Sequence, residues 1–136
     1  MREQLQSYIK TKKFLAQLYR RAAALASSQE EKNALLAFAQ NAETNANYLN
    51  YFYKLEYGVN FDPMVPEINL QGGYRAVLNE ILKLEISSYL EYRKLTYNQS
   101  NNEFRETVRA ISDTKLGHIL TVLAIITNLN TPQTNG

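Results

Sequence analysis

The chain contains no cysteine. That excludes a disulfide frame, a thiol nucleophile and a thiolate metal site, and it fits a reducing, cytoplasmic setting. Glycine and proline are also scarce, with five and three residues. Most of them, Gly58, Pro63, Pro66, Gly72 and Gly73, crowd into one short stretch, and the long breaker-free segments on either side favour an all-α fold. No apolar run approaches the roughly 18 residues that cross a bilayer. The N-terminal stretch MREQLQSYIKTKK has no apolar core or cleavage signal, so secretion is not expected. The 15 bases and 13 acids are dispersed, giving a net charge of +2. With no basic block, neither nucleic acid nor membrane is expected as a partner.

Apolar residues recur at alternating spacings of three and four, the pattern of helices packed in a bundle. The first seam reads Leu5, Tyr8, Lys12, Leu15, Tyr19, Ala22, and the second Leu35, Phe38, Ala42, Asn45, Leu49, Phe52. The third reads Tyr74, Leu78, Ile81, Glu85, Ser88, Tyr92, Leu95. The fourth reads Phe104, Val108, Ile111, Lys115, His118, Val122, Ile125, Leu129. Helices are expected at about 3–26, 29–57, 73–98 and 102–129. Together they form one domain over 1–129, with a flexible tail at 130–136. Ser27-Ser28-Gln29-Glu30-Glu31 is a helix start, Asn101-Asn102-Glu103 another, and Gly58 can close the second helix.

The turns near Ser27 and Ser100 are short, so each helix pair is an antiparallel hairpin. The crossover 58–72 is different. Extended, it could span roughly 40 Å, close to the roughly 42 Å of a 28-residue helix. It can therefore carry the chain from one end of the bundle to the other. One long crossover between two hairpins is the ferritin-like topology. Its apolar residues Phe61, Met64, Val65 and Ile68 are expected to seal it against the helices. The two halves also align without a gap at an offset of 73, placing Tyr19 on Tyr92, Leu35 on Val108, Phe38 on Ile111 and Leu49 on Val122.

Six seam positions are unusual for a core: Lys12, Ala42, Asn45, Glu85, Lys115 and His118. Under the repeat, Lys12 matches Glu85, Ala42 matches Lys115 and Asn45 matches His118. On the stretches FAQNAETNANYLNYFYKLEYG, EISSYLEY and KLGH, the chain resembles the rubrerythrin-like branch of the ferritin-like superfamily. That resemblance implies a di-iron or di-manganese site built from a glutamate seven residues before a tyrosine and a Glu-x-x-His pair in each half. Carried over residue by residue, only Glu85 and His118 keep the family's residue. Lys12, Ala42 and Lys115 stand where carboxylates are implied, and Asn45 where a histidine is implied. Glu43 and Asp113 lie off the seam and do not replace them. A di-metal site gathers about four carboxylates, whereas protonated lysine has no lone pair and repels a cation.

The expectation is a degenerate site with no catalytic residue and no cofactor, iron or manganese being the alternative. Two arrangements of the lysines stay open: pairing with Glu85 at the bundle centre, or snorkelling to solvent. His118, the one histidine, reads first as a hydrogen-bonded core residue. Ten tyrosines are many for this length. Tyr19 and Tyr92 should pack inside with their hydroxyls on polar partners. The cluster Tyr48, Tyr51, Tyr53 and Tyr57 makes a homodimer through the second helix plausible. The leading function is a non-enzymatic structural or interaction protein, a homodimer or part of a larger assembly. The rivals are a rubrerythrin-like iron or peroxide enzyme and a small-molecule pocket at the bundle centre.

Overall fold

A computed structural model of the chain describes residues 2–69, 71–97 and 101–130. They form four helices: α1 (Arg2–Leu25), α2 (Gln29–Tyr57), α3 (Gly73–Tyr97) and α4 (Asn102–Asn130). The ends follow local chemistry. Ser28, in an extended conformation, accepts a bond from the Glu31 amide at 3.1 Å, and its hydroxyl meets the Glu31 carboxylate at 3.1 Å. This is a serine N-cap closed by the glutamate three residues on. The other Glu31 oxygen accepts from Tyr74 at 2.7 Å, tying the start of α2 to the start of α3. Gly58 ends α2 at φ 82°, a conformation that costs a side chain dearly, and its N–H bonds Lys54 O at 2.8 Å. Asn101 caps α4 through a 3.1 Å bond from the Phe104 amide.

Two apolar clusters establish the topology. One joins Leu15–Ala23 of α1 to Leu35–Ala42 of α2, Val77–Ile81 of α3 and Val122 and Ile125 of α4. The other joins Leu5–Ile9 to Leu49–Tyr53, Tyr92 and Phe104–Ile111. The C-terminal part of α2 and of α3 therefore lie at the same end of the bundle, and α3 begins at the far end from where α2 stops. The crossover spans that length, as its reach allows. Among the described residues α1 packs on α2 and α3, and α4 on α3 and α2, leaving α1 and α4 diagonal. Alanines Ala16, Ala23, Ala39 and Ala46 are all buried, which lets α1 and α2 approach closely.

The seam residues are buried or half-buried wherever their side chains are described. Leu95, the turn at Ser100 and residues 131–136 of the expected tail lie outside that set. Asn130, assigned to the tail, still belongs to α4, and α1 stops one residue earlier than expected, at Leu25. The crossover is sealed by Phe61, Val65 and Ile68, all half-buried, but Met64 is 92% exposed and seals nothing. Met64 and Val65 are neighbours with opposite exposure, Val65 lying against Lys13, Gln17 and Glu43 while Met64 faces outward. The expectation about apolar length needs one amendment. α4 is long and apolar enough, by length and composition, to meet the criterion for a membrane span, although Lys115 and His118 face the bundle interior.

Asn50 clamps the crossover: its amide donates to Phe61 O and its carbonyl accepts from Phe61 N, both at 2.8 Å. Asn50→Ala leaves both backbone groups unpaired and is expected to cost about 1–3 kcal/mol in urea unfolding. It should also speed proteolysis between residues 58 and 72 relative to the helices.

Candidate functional site

Between the two apolar clusters lies a polar layer made of the unusual seam residues. Lys12, Glu85 and Lys115 are 1%, 1% and 0% exposed, and His118 is 5% exposed. Burial of both lysines overturns the snorkelling arrangement. The helix seams aim these side chains at the axis, and each stem is enclosed by apolar neighbours above and below.

Glu85 is the hub. Lys115 Nζ donates to Oε1 at 2.6 Å, while Tyr19 Oη donates to Oε2 at 2.7 Å. His118 Nδ1 meets Oε2 at 3.1 Å. A carboxylate can only accept, so the proton of that contact sits on Nδ1, and Nε2 looks toward Asn41 Nδ2 at 3.5 Å. The His118 ring stacks on Phe38 at 4.1 Å between centroids, with Tyr19 edge-on at 6.0 Å. Burial pushes the Glu85 carboxyl up, but the His118 bond and the Lys115 charge outweigh it and hold the group well below the usual carboxylate range. Burial, then the Glu85 charge, pushes the Tyr19 hydroxyl up, so it stays a donor.

Lys12 does not share the carboxylate: the ion-pair partners of Glu85 are Lys115 and His118. Its nitrogen stands 5.7 Å from the centroid of the Tyr92 ring, and that of Lys115 stands 5.1 Å from the same ring. Burial and the neighbouring Lys115 charge hold the Lys12 amine well below its ordinary pKa. A neutral Lys12 has a lone pair and can accept a proton bond from Lys115. Tyr92 itself stacks on Tyr8 at 4.4 Å. Its hydroxyl has no hydrogen-bond partner among the described residues, contrary to the expectation for both core tyrosines.

The remaining expected positions are peripheral. Ala42 is buried in the apolar cluster, and Asn45 is half-buried and takes no part in the bonds around Glu85. Tyr19, expected to set its hydroxyl on a polar partner, finds Glu85. Phe38 and Asn41 complete the surroundings of His118 and were not expected there; Phe38 was on the seam, whereas Asn41 is off it and gave no signal.

These donors do not fit a di-metal centre. Both Glu85 oxygens are engaged by N–H or O–H donors, His118 Nδ1 carries a proton, and the Lys115 ammonium lies 2.6 Å from Oε1, where it would repel a cation. Among the described residues no three histidine, aspartate or glutamate side chains gather in a way that could hold a metal ion.

No family model and no curated protein matches the sequence. A solved structure, a hypothetical protein from Pyrococcus furiosus, is similar in fold, with a TM-score of 0.77 over 93% of this chain and 87% of that one. At 17% identity the likeness shows a shared four-helix arrangement and nothing of function.

Removing one side of a buried pair strands the other. Glu85→Ala is expected to lower unfolding free energy by about 3–5 kcal/mol, read from urea melts. Lys12 behaves in the opposite sense. Burial lowers its pKa in the fold, so the unfolded form binds the proton more tightly than the folded form, and wild-type stability gains from rising pH until the ordinary lysine pKa is reached. Lys12→Met removes that term. The variant should match or exceed wild-type stability at pH 7, and its advantage should shrink between pH 8 and 10. A constant difference across that range would mean that Lys12 stays protonated in the fold.

Proposed function

We propose that this protein is a non-catalytic structural or interaction module of ferritin-like descent, in which an internal ion pair takes over the place of a metal centre. What supports the reading is the engagement of Glu85. The one carboxylate described at the centre of the bundle is bonded by Lys115 through Oε1 and by Tyr19 and His118 through Oε2, so both of its oxygens are engaged by protein donors. The layer joins α1, α3 and α4 at mid-height and holds their register, the role that bridging metals fill in ferritin-like carboxylate proteins. With the centre committed to holding the helices together, function falls to the surface.

The test is elemental analysis of protein purified without chelators, together with thermal melts in added ferrous iron and manganese. Far less than one metal ion per chain and no metal-dependent rise in Tm are expected. Two iron or manganese ions per chain, lost in Glu85→Ala along with a metal-induced rise in Tm, would instead establish the rubrerythrin-like alternative.

A further inference from the structure

The two hairpins present different outer surfaces. On the first, Lys13, Gln17, Glu43 and Asn47 line one shallow groove together with Val65 of the crossover. Asn50 beside them clamps Phe61, and Lys13 pairs with Asp62 at 3.1 Å. That surface is polar and roofed by the chain's own crossover. Moving each of these five helix positions by the repeat offset of 73 gives Ile86, Leu90, Leu116, Leu120 and Leu123. They are 43, 55, 48, 59 and 40% exposed. The repeat has no gap, and its seam positions match in burial, so the five share one outer surface as their counterparts do. The bonds from Glu85 to Lys115 and His118 put Ile86 level with Leu116. Their exposed area is roughly 400 Å² per chain, the size of patch that marks an interaction site rather than scattered surface leucines. The crossover is already spent on the other hairpin.

We propose that a second copy of this chain covers the α3–α4 face, with the two α4 helices antiparallel about a two-fold axis at Leu120. Two features favour a second copy. The first is charge. From Leu116 to Asn130 the sequence of α4 carries no acid or base and only a buried histidine, so the α4 side of this contact is uncharged. The second is shape. Antiparallel pairing about Leu120 sets Leu116 opposite Ala124 and Leu123 opposite Gly117, a large side chain against a small one each time. Gly117 has open space where a side chain would stand. A two-fold contact doubles the apolar area to about 800 Å² before the rim is counted, which brings the interface within reach of the 1,200–2,000 Å² of stable complexes. This partner deepens the interaction reading above, and the two fail separately: metal content decides that one, mass in solution this one.

Light scattering behind size exclusion at tens of micromolar should give a dimer mass. The absence of cysteine allows a direct check of the axis. Leu120→Cys should form an intermolecular disulfide under mild oxidation, and Tyr48→Cys, on the exposed part of α2, should not. The double variant Leu120→Glu, Leu123→Glu should elute as a folded monomer, with its helical circular dichroism retained. A monomeric wild type overturns the proposal. So does a dimer that survives the double substitution, cross-linking through Tyr48→Cys but not Leu120→Cys, or a monomer that floats with anionic phospholipid vesicles through α4.

Discussion

A carboxylate with almost no solvent exposure is costly to hold inside a bundle, and the cost is met only if both oxygens find donors. Glu85 meets that demand with three side chains from two other helices: Tyr19 from α1, and Lys115 and His118 from α4. The geometry allows little freedom. Sliding α4 by one heptad along α3 would replace Lys115 with Val108 or Val122 and leave the charge unmatched. Apolar seams alone tolerate such slips, because one leucine layer resembles the next. The polar layer therefore acts as the register key of the bundle, and the apolar clusters on either side supply the bulk of its burial.

The pseudo-two-fold repeat makes the departures from symmetry informative. Lys12 and Glu85 occupy equivalent positions, yet burial lowers the pKa of the one while its partners hold the other as an anion. Lys115 tips the balance. It donates to Glu85, faces Tyr92, and its charge depresses the amine next to it. A carboxylate at Lys12, the position equivalent to Glu85 under the repeat, would set two like charges in one buried layer, repelling unless a cation stood between them. The lysines are the chemical alternative to that cation.

Most of the fold was legible because helix seams obey a simple period and because glycine, proline and capping residues concentrate at the junctions. The crossover's span could be judged from its reach, and the polar layer could be picked out as the seam residues that are neither aliphatic nor aromatic. Sequence could not separate the two lysines. Lys12 and Lys115 sit on seams at one level, and which of them meets Glu85 depends on distances of an ångström or two. Nor could it find Asn41, whose contact arises from the approach of α2 to α4, or the unpartnered hydroxyl of Tyr92, which depends on where the stacked ring of Tyr8 sets it. Met64 misled for a plainer reason: it faces outward beside an inward Val65.

The same period that reveals a core also reveals what does not belong to one. Leu116, Leu120 and Leu123 recur at helical spacing on the outer face of α4, one step away from the buried row of Lys115, His118, Val122 and Ile125. A helix apolar on two faces packs against two things. The inner row has α3 and α2. For the outer row the first half of the molecule indicates what is missing, since its equivalent surface carries lysine, glutamine, glutamate and asparagine and is still covered by the crossover. Leucines on an uncovered surface raise the free energy of the monomer in water, and that penalty disappears on association.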